Sequence, residues 1–183
     1  MNMLQKMWKK HDLKSRYDVV IVGAGVHGLA IAYFLAKNGL TNVAVLDKGY
    51  LGGGASGRNT AIIRANYRTI EGIPFYNESL KMYEKLSQEL DFNLLFSAQG
   101  HLTIGHTDAT VFGLQVRADT NKLMNIDSQI IGPSDIKRLV PLVDISNRPR
   151  FPIKAALYHP PGGVIRHDAV VWAFARESEK YGI

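Results

Sequence analysis

The sequence contains no cysteine among its 183 residues. This absence excludes disulfide bonds, thiolate metal sites and cysteine nucleophiles, and it is compatible with a reducing compartment. No apolar run approaches the roughly 20 residues that a membrane-spanning helix requires, and residues 1–10 lack the apolar core of a secretory signal. A hydrophobic content of 46% and a charged content of 21% are typical of a soluble globular protein. We therefore expect a cytoplasmic protein that is not bound to a membrane.

Acidic residues are also in short supply, and the net charge is +6 at pH 7. Residues 1–16 contain five lysine and arginine side chains and one aspartate, so the remainder of the chain is close to neutral. A charge block of this kind is most often a solvated extension or a subunit contact, with anionic lipid or nucleic acid as alternatives. We predict a basic N-terminal arm over 1–16, and the charge does not indicate a nucleic-acid-binding protein.

The most informative pattern lies in residues 17–47. A short β-branched run, Val19 to Val22, is typical of a parallel strand buried on both faces. After it come a Gly-x-Gly-x-x-Gly motif, a helical stretch from Leu29 to Asn38 with Gly39 as its stop, and a second β-branched run over 42–46. The order and spacing predict a β-α-β unit that binds a dinucleotide.

Each glycine of the motif has a physical role in such a unit. Gly23 permits the tight turn after the strand, Gly25 lets backbone amides approach a pyrophosphate, and Gly28 lets the helix pack against the sheet. The N-terminus of the helix provides N–H groups and a partial positive charge that suit the phosphates. Asp47, at the end of the second run, can accept hydrogen bonds from ribose hydroxyls, which disfavours NADP. A purely structural glycine turn is the alternative.

A polar, glycine-dense segment follows Asp47. Five glycines lie in residues 49–57, and glycine is costly to order because it loses the most backbone freedom on folding. Close approach of the backbone to a ligand would offset that cost, and Arg58, Asn59 and Thr60 add side-chain donors where the segment ends. We predict a loop that wraps a cofactor, with a flexible surface linker as the alternative.

Amphipathic and alternating patterns continue along the rest of the chain. Ile73 to Phe92 has the periodicity of a helix with its aromatic and aliphatic side chains, Phe75 among them, in the core. A strand between glycines contains His101, and His106 lies five positions on, so the two side chains would face opposite sides of a strand and are not expected to share a metal. A helix beginning near Asp108 and a short helix stopped near Pro141 follow.

Residues 155–168 form a second concentration of signals, consisting of a strand, a Pro/Gly turn and the sequence Arg166-His167-Asp168. A helix is predicted from Ala169 to Tyr181, with Asp168 as its N-cap. His167 would then lie immediately before the helix. From the residues alone, a histidine in this position is more often structural than catalytic.

Three segments together resemble the β subunits of heterotetrameric sarcosine oxidases, which are FAD-dependent amine oxidases. They are residues 23–30, 53–67 and 162–170. The resemblance runs from Tyr17 to the end of the chain and implies that the chain matches the N-terminal part of such a subunit. It implies an α/β fold, namely an incomplete, Rossmann-like and glutathione-reductase-like FAD-binding domain over 17–183. The first part of an α+β substrate and FMN region would be interleaved with it.

The resemblance also implies two flavins and no metal. FMN would be joined through its 8α-methyl carbon to His167. FAD would be bound non-covalently, and the residues implied to contact it are Gly23, Gly25, Val26, His27, Gly28, Asp47, Ala55, Ser56, Arg58, Asn59, Thr60 and Ile62. No catalytic residue is identified by the motifs, and a chain of this length is expected to be inactive alone.

The activity implied by the resemblance is the oxidation of sarcosine, with transfer of the one-carbon unit to tetrahydrofolate and reduction of oxygen to hydrogen peroxide. The implied partners are the alpha, gamma and delta subunits of a heterotetramer, with tetrahydrofolate and NAD on a partner subunit. Three alternatives stay open: a related enzyme such as a glycine oxidase or a dimethylglycine dehydrogenase, an NAD-binding dehydrogenase module, and a non-catalytic assembly module. The position of any covalent flavin and the presence of a flavin spectrum would discriminate among them.

Overall fold

The computed structural model describes residues 12–183, which form two compact units. Each unit is assembled from separate stretches of the chain. The first unit contains residues 12–61, 85–95 and 165–183, and the second contains residues 62–84 and 96–164. Most of the predicted basic arm lies outside the described residues. Among residues 12–183, no helix is long and apolar enough to cross a membrane.

The first unit begins with the predicted β-α-β arrangement. Strands β1 (Val19–Val22) and β2 (Val43–Leu46) pair in parallel, with Val19 opposite Val43. Helix α1 (Val26–Lys37) connects them. The helix begins earlier than the apolar periodicity predicted because the glycine motif itself forms its first turn.

A second helix of the first unit packs on α1. Helix α5 (His167–Lys180) buries Phe174, whose ring lies 5.6 Å from that of Tyr33 and 6.2 Å from that of Phe34 on α1. Tilted aromatic contacts at these centroid distances add to the stabilisation from apolar burial. The two helices therefore share an aromatic contact that packs α5 on the β-α-β arrangement.

The predicted start of α5 was wrong. Its N-cap is Arg166, its first residue is His167, and Asp168 lies in the first turn. The Asp168 carboxylate accepts hydrogen bonds from Nε and Nη2 of Arg166 at 3.0 and 2.6 Å. This ion pair brings Asp168 into the helix, where a carboxylate in the first turn is also favoured by the helix dipole.

The second unit is built on an antiparallel sheet with the order β4-β6-β5. These strands are β4 (His101–Gly105), β5 (Gln129–Ile131) and β6 (Ala155–His159). Helix α3 (Asp108–Leu123) packs Leu114 and Ala118 against Leu157 of β6. A two-stranded antiparallel pair, β3 (Ile62–Ile63) with β7 (Gly163–Val164), and helix α4 (Pro133–Leu139) complete the unit.

Helix α2 (Gly72–Glu89) is divided between the units, with 72–84 in the second and 85–89 in the first. Leu80 and Leu86 are buried, as predicted. Phe75, which the prediction placed in the core, is 70% exposed. One helix contributes to two separate cores, so a single apolar stripe does not describe it. Phe75 lies in the first turn, where its ring contacts Tyr76 edge-on.

Candidate functional site

The glycine turn between β1 and α1 is packed too tightly for side chains. A Cβ on Gly28 would collide with the carbonyl oxygen of Gly23 and lie 3.2 Å from Cγ2 of Ile21. A Cβ on Gly25 would lie 2.9 Å from Oγ of Ser56. Glycine is therefore required at position 28, where the obstacle is backbone, whereas a side chain at position 25 would displace the Ser56 hydroxyl; glycine at both positions keeps the backbone bare at the point where a pyrophosphate would approach.

The N-terminus of α1 faces the glycine-dense loop. Its N-cap, Gly25, offers no side-chain cap, and its first turn contains no acidic residue. Oγ of Ser56 accepts a hydrogen bond from the N–H of Val26 at 2.9 Å. Other N–H groups of the first turn have no partner within the helix, so this end retains donors and a partial positive charge for an anion.

Asp47 is tied to the same turn by two backbone hydrogen bonds. Its Oδ2 accepts from the N–H of Ala24 at 2.8 Å, and its Oδ1 accepts from the N–H of Gly49 at 2.8 Å. These bonds lower the pKa of Asp47 below its usual value, so the exposed side chain is a carboxylate at neutral pH. Each carboxylate oxygen keeps a further acceptor site, which suits ribose hydroxyls.

The loop after Asp47 is attached to its surroundings, which disfavours the flexible-linker alternative. The N–H of Gly52 donates to the carbonyl of Ala24 at 2.9 Å. Gly52 has a φ of +71°, and a Cβ there would lie 3.4 Å from Val171 of α5. Glycine is therefore favoured in this loop by a left-handed backbone conformation and by close packing in the first unit.

The side chain of Asn59 stabilises this loop by hydrogen bonds to its backbone. Its Nδ2 donates to the carbonyls of Ala55 and Ser56 at 3.1 and 2.8 Å, and its Oδ1 accepts from the N–H of Ala61 at 2.7 Å. Its amide is thus occupied in holding the loop. By contrast, the side chain of Arg58 is exposed and makes no hydrogen bond or ion pair within the described part of the chain.

His167 lines a cavity of about 290 Å³ in the first unit, together with Tyr50, Ser56 and Trp172. The preceding backbone is held by hydrogen bonds of 3.0 Å from Ile165 N–H to Ala61 and from Arg166 N–H to Leu94. Neither ring nitrogen of His167 hydrogen-bonds to another group in residues 12–183. The imidazole is thus free to bond to a ligand.

Arg166 and Asp168, on either side of His167, form an ion pair that shifts the pKa of each group. The Arg166 guanidinium lowers the pKa of the Asp168 carboxyl, and the same hydrogen bonds raise the pKa of Arg166. Both groups are therefore charged at neutral pH. The start of α5 carries a fixed ion pair beside a histidine with an accessible ring.

The structure does not bring all the predicted residues to one place. His27 lines a different recess, an apolar groove of about 570 Å³ along α1 with Ile31 and Phe34. Ile62 lies in β3 of the second unit, opposite Val164. Hydrogen bonds among the predicted residues join Val26 with Ser56, and Asn59 with Ala55 and Ser56. Gly28 lies near the carbonyl of Gly23, and Gly25 near Ser56, so that an added Cβ would meet these groups.

The second unit contains a cationic cluster that the sequence analysis did not identify. Arg64, Arg68 and Arg117 form no ion pair with a carboxylate among residues 12–183. Arg117 is only 9% exposed. Burial, followed by the charges of Arg64 and Arg68, lowers its pKa to about 10. The positive charge of Arg117 is therefore opposed by those of Arg64 and Arg68, with no neutralising carboxylate paired to it among the described residues.

Two histidines lie beside this cluster, directly opposite each other on β4 and β6. His159 is 1% exposed, with Nδ1 2.6 Å from the carbonyl of Asp127 and Nε2 accepting from the N–H of Ala65 at 3.2 Å. Burial lowers its pKa. For His101, burial and the charges of Arg64 and Arg117 lower the pKa to about 4.

These histidines should make the protein sensitive to mild acid. Between pH 6.5 and about 4, the unfolded chain binds a proton at His101 that the folded protein does not. The free energy of unfolding therefore falls as the pH falls through this window. We expect His101→Gln to show a smaller loss of stability than the wild type between about pH 7 and about pH 5, measured by urea unfolding.

The control is His106→Gln, which makes the same chemical change at an exposed position. Some slope should remain in His101→Gln, since His159 contributes with the same sign. An unchanged slope in His101→Gln would show that His101 is not the group that titrates.

Comparisons with known proteins agree with this geometry. The family described as FAD dependent oxidoreductase matches residues 18–183. The chain is 46% identical to the sarcosine oxidase subunit beta of Arthrobacter sp, over 97% of this chain and 44% of that protein. It is 28% identical to the mitochondrial dimethylglycine dehydrogenase of Rattus norvegicus, over 94% of this chain and 20% of that protein. The chain thus spans less than half the length of these curated relatives.

A solved structure extends the similarity to the fold. The crystal structure of L-proline dehydrogenase from P. horikoshii superposes with a TM-score of 0.84 at 28% identity, covering 93% of this chain and 43% of that one. Together with the family match, this superposition confirms the predicted α/β fold, which is that of FAD dependent oxidoreductases.

Proposed function

The chain belongs to the FAD dependent oxidoreductase family, and we propose that its first unit binds the ADP part of FAD. The bare backbone at Gly25 and Gly28, together with the uncapped N-terminus of α1, supports the pyrophosphate position. The ionised, backbone-anchored Asp47 supports the position of the ribose. Ser56 joins the loop to this turn, and Asn59 maintains the conformation of the loop itself. When bound, the flavin supplies a two-electron acceptor for oxidation of an amine.

The proposed substrate is a small secondary amine that carries a carboxylate, and sarcosine has this structure. The observation that carries this assignment is the cluster of Arg64, Arg68 and Arg117 without a carboxylate partner. A guanidinium taken out of water without an anion is unfavourable, and a substrate carboxylate would offset that cost. Nε and Nη2 of Arg64 make no hydrogen bond within the described residues, so they can bind such a group.

The names of the relatives favour the same class of substrate. The Arthrobacter protein is named for the oxidation of sarcosine, and the rat protein for the dehydrogenation of dimethylglycine. Both compounds are N-methylated forms of glycine. We extend the proposal to the reaction that the resemblance implies, in which the one-carbon unit passes to tetrahydrofolate and oxygen is reduced to hydrogen peroxide. This reaction would take place in an assembly with alpha, gamma and delta subunits.

Covalent attachment of FMN at His167 is part of this proposal. It is supported by the position of His167 in the cavity next to the loop and by its ring nitrogens, which have no hydrogen-bond partner in residues 12–183. Attachment would join a ring nitrogen of His167 to the 8α-methyl carbon with loss of one proton from each, and the two electrons released would pass to the flavin and from it to oxygen, the acceptor named in this proposal. The Arg166–Asp168 pair holds the start of the helix that presents this side chain.

The substrate assignment is tested by reducing the flavin with candidate amines. The chain is co-expressed with its partner subunits, and the purified assembly loaded with FAD is mixed with sarcosine in the absence of oxygen while loss of the flavin absorbance is followed. We expect sarcosine to reduce the flavin at least about 100-fold faster than its amide, because the amide leaves the arginines without an anion.

The comparison amines are glycine, dimethylglycine and sarcosine amide. Equal rates with sarcosine and its amide would overturn the assignment of the carboxylate site. Faster reduction by glycine or dimethylglycine would favour one of the related enzymes. A chain that retains FAD but is reduced by none of these amines would favour the non-catalytic alternative.

A further inference from the structure

We infer that Arg117 is a positioning residue, which holds Asn66 so that Arg64 presents its free donors to the substrate carboxylate. The inference rests on the proposed function, because it assumes that Arg64 binds a carboxylate. The inference assigns a role in the proposed carboxylate site to a residue of helix α3 that does not itself contact the substrate. The residue acts through one backbone carbonyl and one side-chain amide.

Asn66 is the link between the two arginines. It is fully buried, at 0% exposure. Its carbonyl oxygen accepts hydrogen bonds from Nε and Nη2 of Arg117 and a longer one, at 3.4 Å, from Nη1 of Arg64. Its Oδ1 accepts a second hydrogen bond from Nη1 of Arg64 at 3.1 Å. A shift of the Asn66 backbone would therefore move both acceptors that orient Arg64.

The other constraint on Arg64 is aromatic. Its guanidinium carbon lies 4.4 Å from the ring centroid of Tyr67, within the range of a cation–π contact. Tyr67 is in turn stacked on Tyr76, with centroids 3.6 Å apart and ring planes 13° from parallel. The guanidinium of Arg64 is thus held at one ring face and at one nitrogen, and its Nε and Nη2 form the edge that remains for a carboxylate.

Burial of the Arg117 guanidinium at this position is energetically unfavourable, which indicates that its hydrogen-bonding geometry has a role. Arg117 is almost fully buried, has no carboxylate partner among residues 12–183, and is subject to the positive charges of Arg64 and Arg68. An apolar residue of similar volume would avoid that cost. The Nε–H and Nη2–H groups of a guanidinium are fixed in one plane on the same edge and can converge on a single oxygen, whereas the N–H bonds of a lysine ammonium point away from one another.

The experiment measures the order of Arg64 and the binding of a carboxylate in the same samples. The ¹⁵N heteronuclear NOE of the Arg64 Nε–Hε group reports the order of the side chain, and a titration with acetate reports binding, with acetamide as the neutral isostere. The variants are Arg117→Met, Arg117→Lys and Arg64→Met. Arg148→Met is the control, because Arg148 is exposed on the surface of the same unit.

In Arg117→Met and in Arg117→Lys, we expect the Arg64 NOE to fall towards that of an exposed arginine and acetate to bind about tenfold more weakly, equivalent to about 1.4 kcal/mol. Acetamide binding should be the same in these variants as in the wild type. The control Arg148→Met should keep the wild-type urea-unfolding midpoint. If Arg117→Lys binds acetate as the wild type does, Arg117 acts by charge and the inference is overturned.

The two proposals fail in different ways. If Arg64→Met binds acetate as tightly as the wild type, the carboxylate site of the proposed function is wrong. If Arg64→Met loses acetate binding but Arg117→Met keeps both binding and the Arg64 NOE, only the positioning role is wrong. Should Arg117→Met not fold, Arg117→Lys provides the same two measurements with the charge retained.

Discussion

Gly28→Ala is expected to lower the free energy of unfolding by about 3 kcal/mol or more and to abolish FAD binding. In an ordinary helix, this substitution stabilises by about 0.5–1 kcal/mol because alanine has less backbone freedom to lose. Here the new Cβ would meet the carbonyl oxygen of Gly23, which belongs to the backbone of the turn and cannot rotate away. Relief of the collision would separate α1 from β1. Urea unfolding and FAD titration of the purified variant measure the two effects.

Gly113→Ala is the matched control, since Gly113 lies within α3 and a Cβ there would meet nothing within 4 Å. We expect it to raise the free energy of unfolding by about 0.5–1 kcal/mol and to leave FAD binding unchanged. The same chemical change should therefore have opposite effects in two helices. If Gly28→Ala also stabilised the protein, the close packing of the glycine turn, and with it the argument for the pyrophosphate position, would be wrong.

The β-α-β unit could be predicted from the sequence because its determinants are local. The β-branched runs, the glycine spacing and Asp47 lie within a few residues of the elements that they specify. The start of α5 could not be placed to the residue. A preference of aspartate for the N-cap competes with an ion pair from Arg166 two positions earlier, and the ion pair determines where Asp168 lies.

The arginine cluster could not be predicted, because it is formed by tertiary contacts between residues that are distant in the sequence. Arg117 resembles any arginine of a surface helix, and its partner Asn66 lies 51 positions away. The histidines show the same limit. The sequence directs attention to His101 and His106, which are close along the chain, whereas the residue opposite His101 in the sheet is His159. Register between strands that are distant in sequence depends on the whole sheet.

His167→Asn is expected to abolish covalent flavin completely. Asparagine keeps a polar side chain of similar reach at the start of α5 but has no nucleophilic ring nitrogen, so no bond to the 8α carbon can form. The chain is purified after co-expression with its partner subunits, precipitated with acid, and examined for flavin absorbance in the pellet and for the intact mass of the protein. Wild type should retain FMN on the peptide that contains His167, and FAD should be released from both proteins.

His106→Asn is the control for this experiment, since His106 is exposed and its Nδ1 lies 2.8 Å from the carbonyl of Phe151, in the second unit. It should keep as much flavin in the pellet as the wild type. If the wild-type pellet contains no flavin, His167 has a structural role, and the alternative of an amine oxidase with a single FAD is favoured. If flavin is retained in His167→Asn, another residue forms the bond, and peptide mapping of the added mass identifies it. Because the proposed site for non-covalent FAD is formed by Asp47 and the glycine turn, a normal FAD content in His167→Asn would show that the loss of FMN is not a loss of the fold.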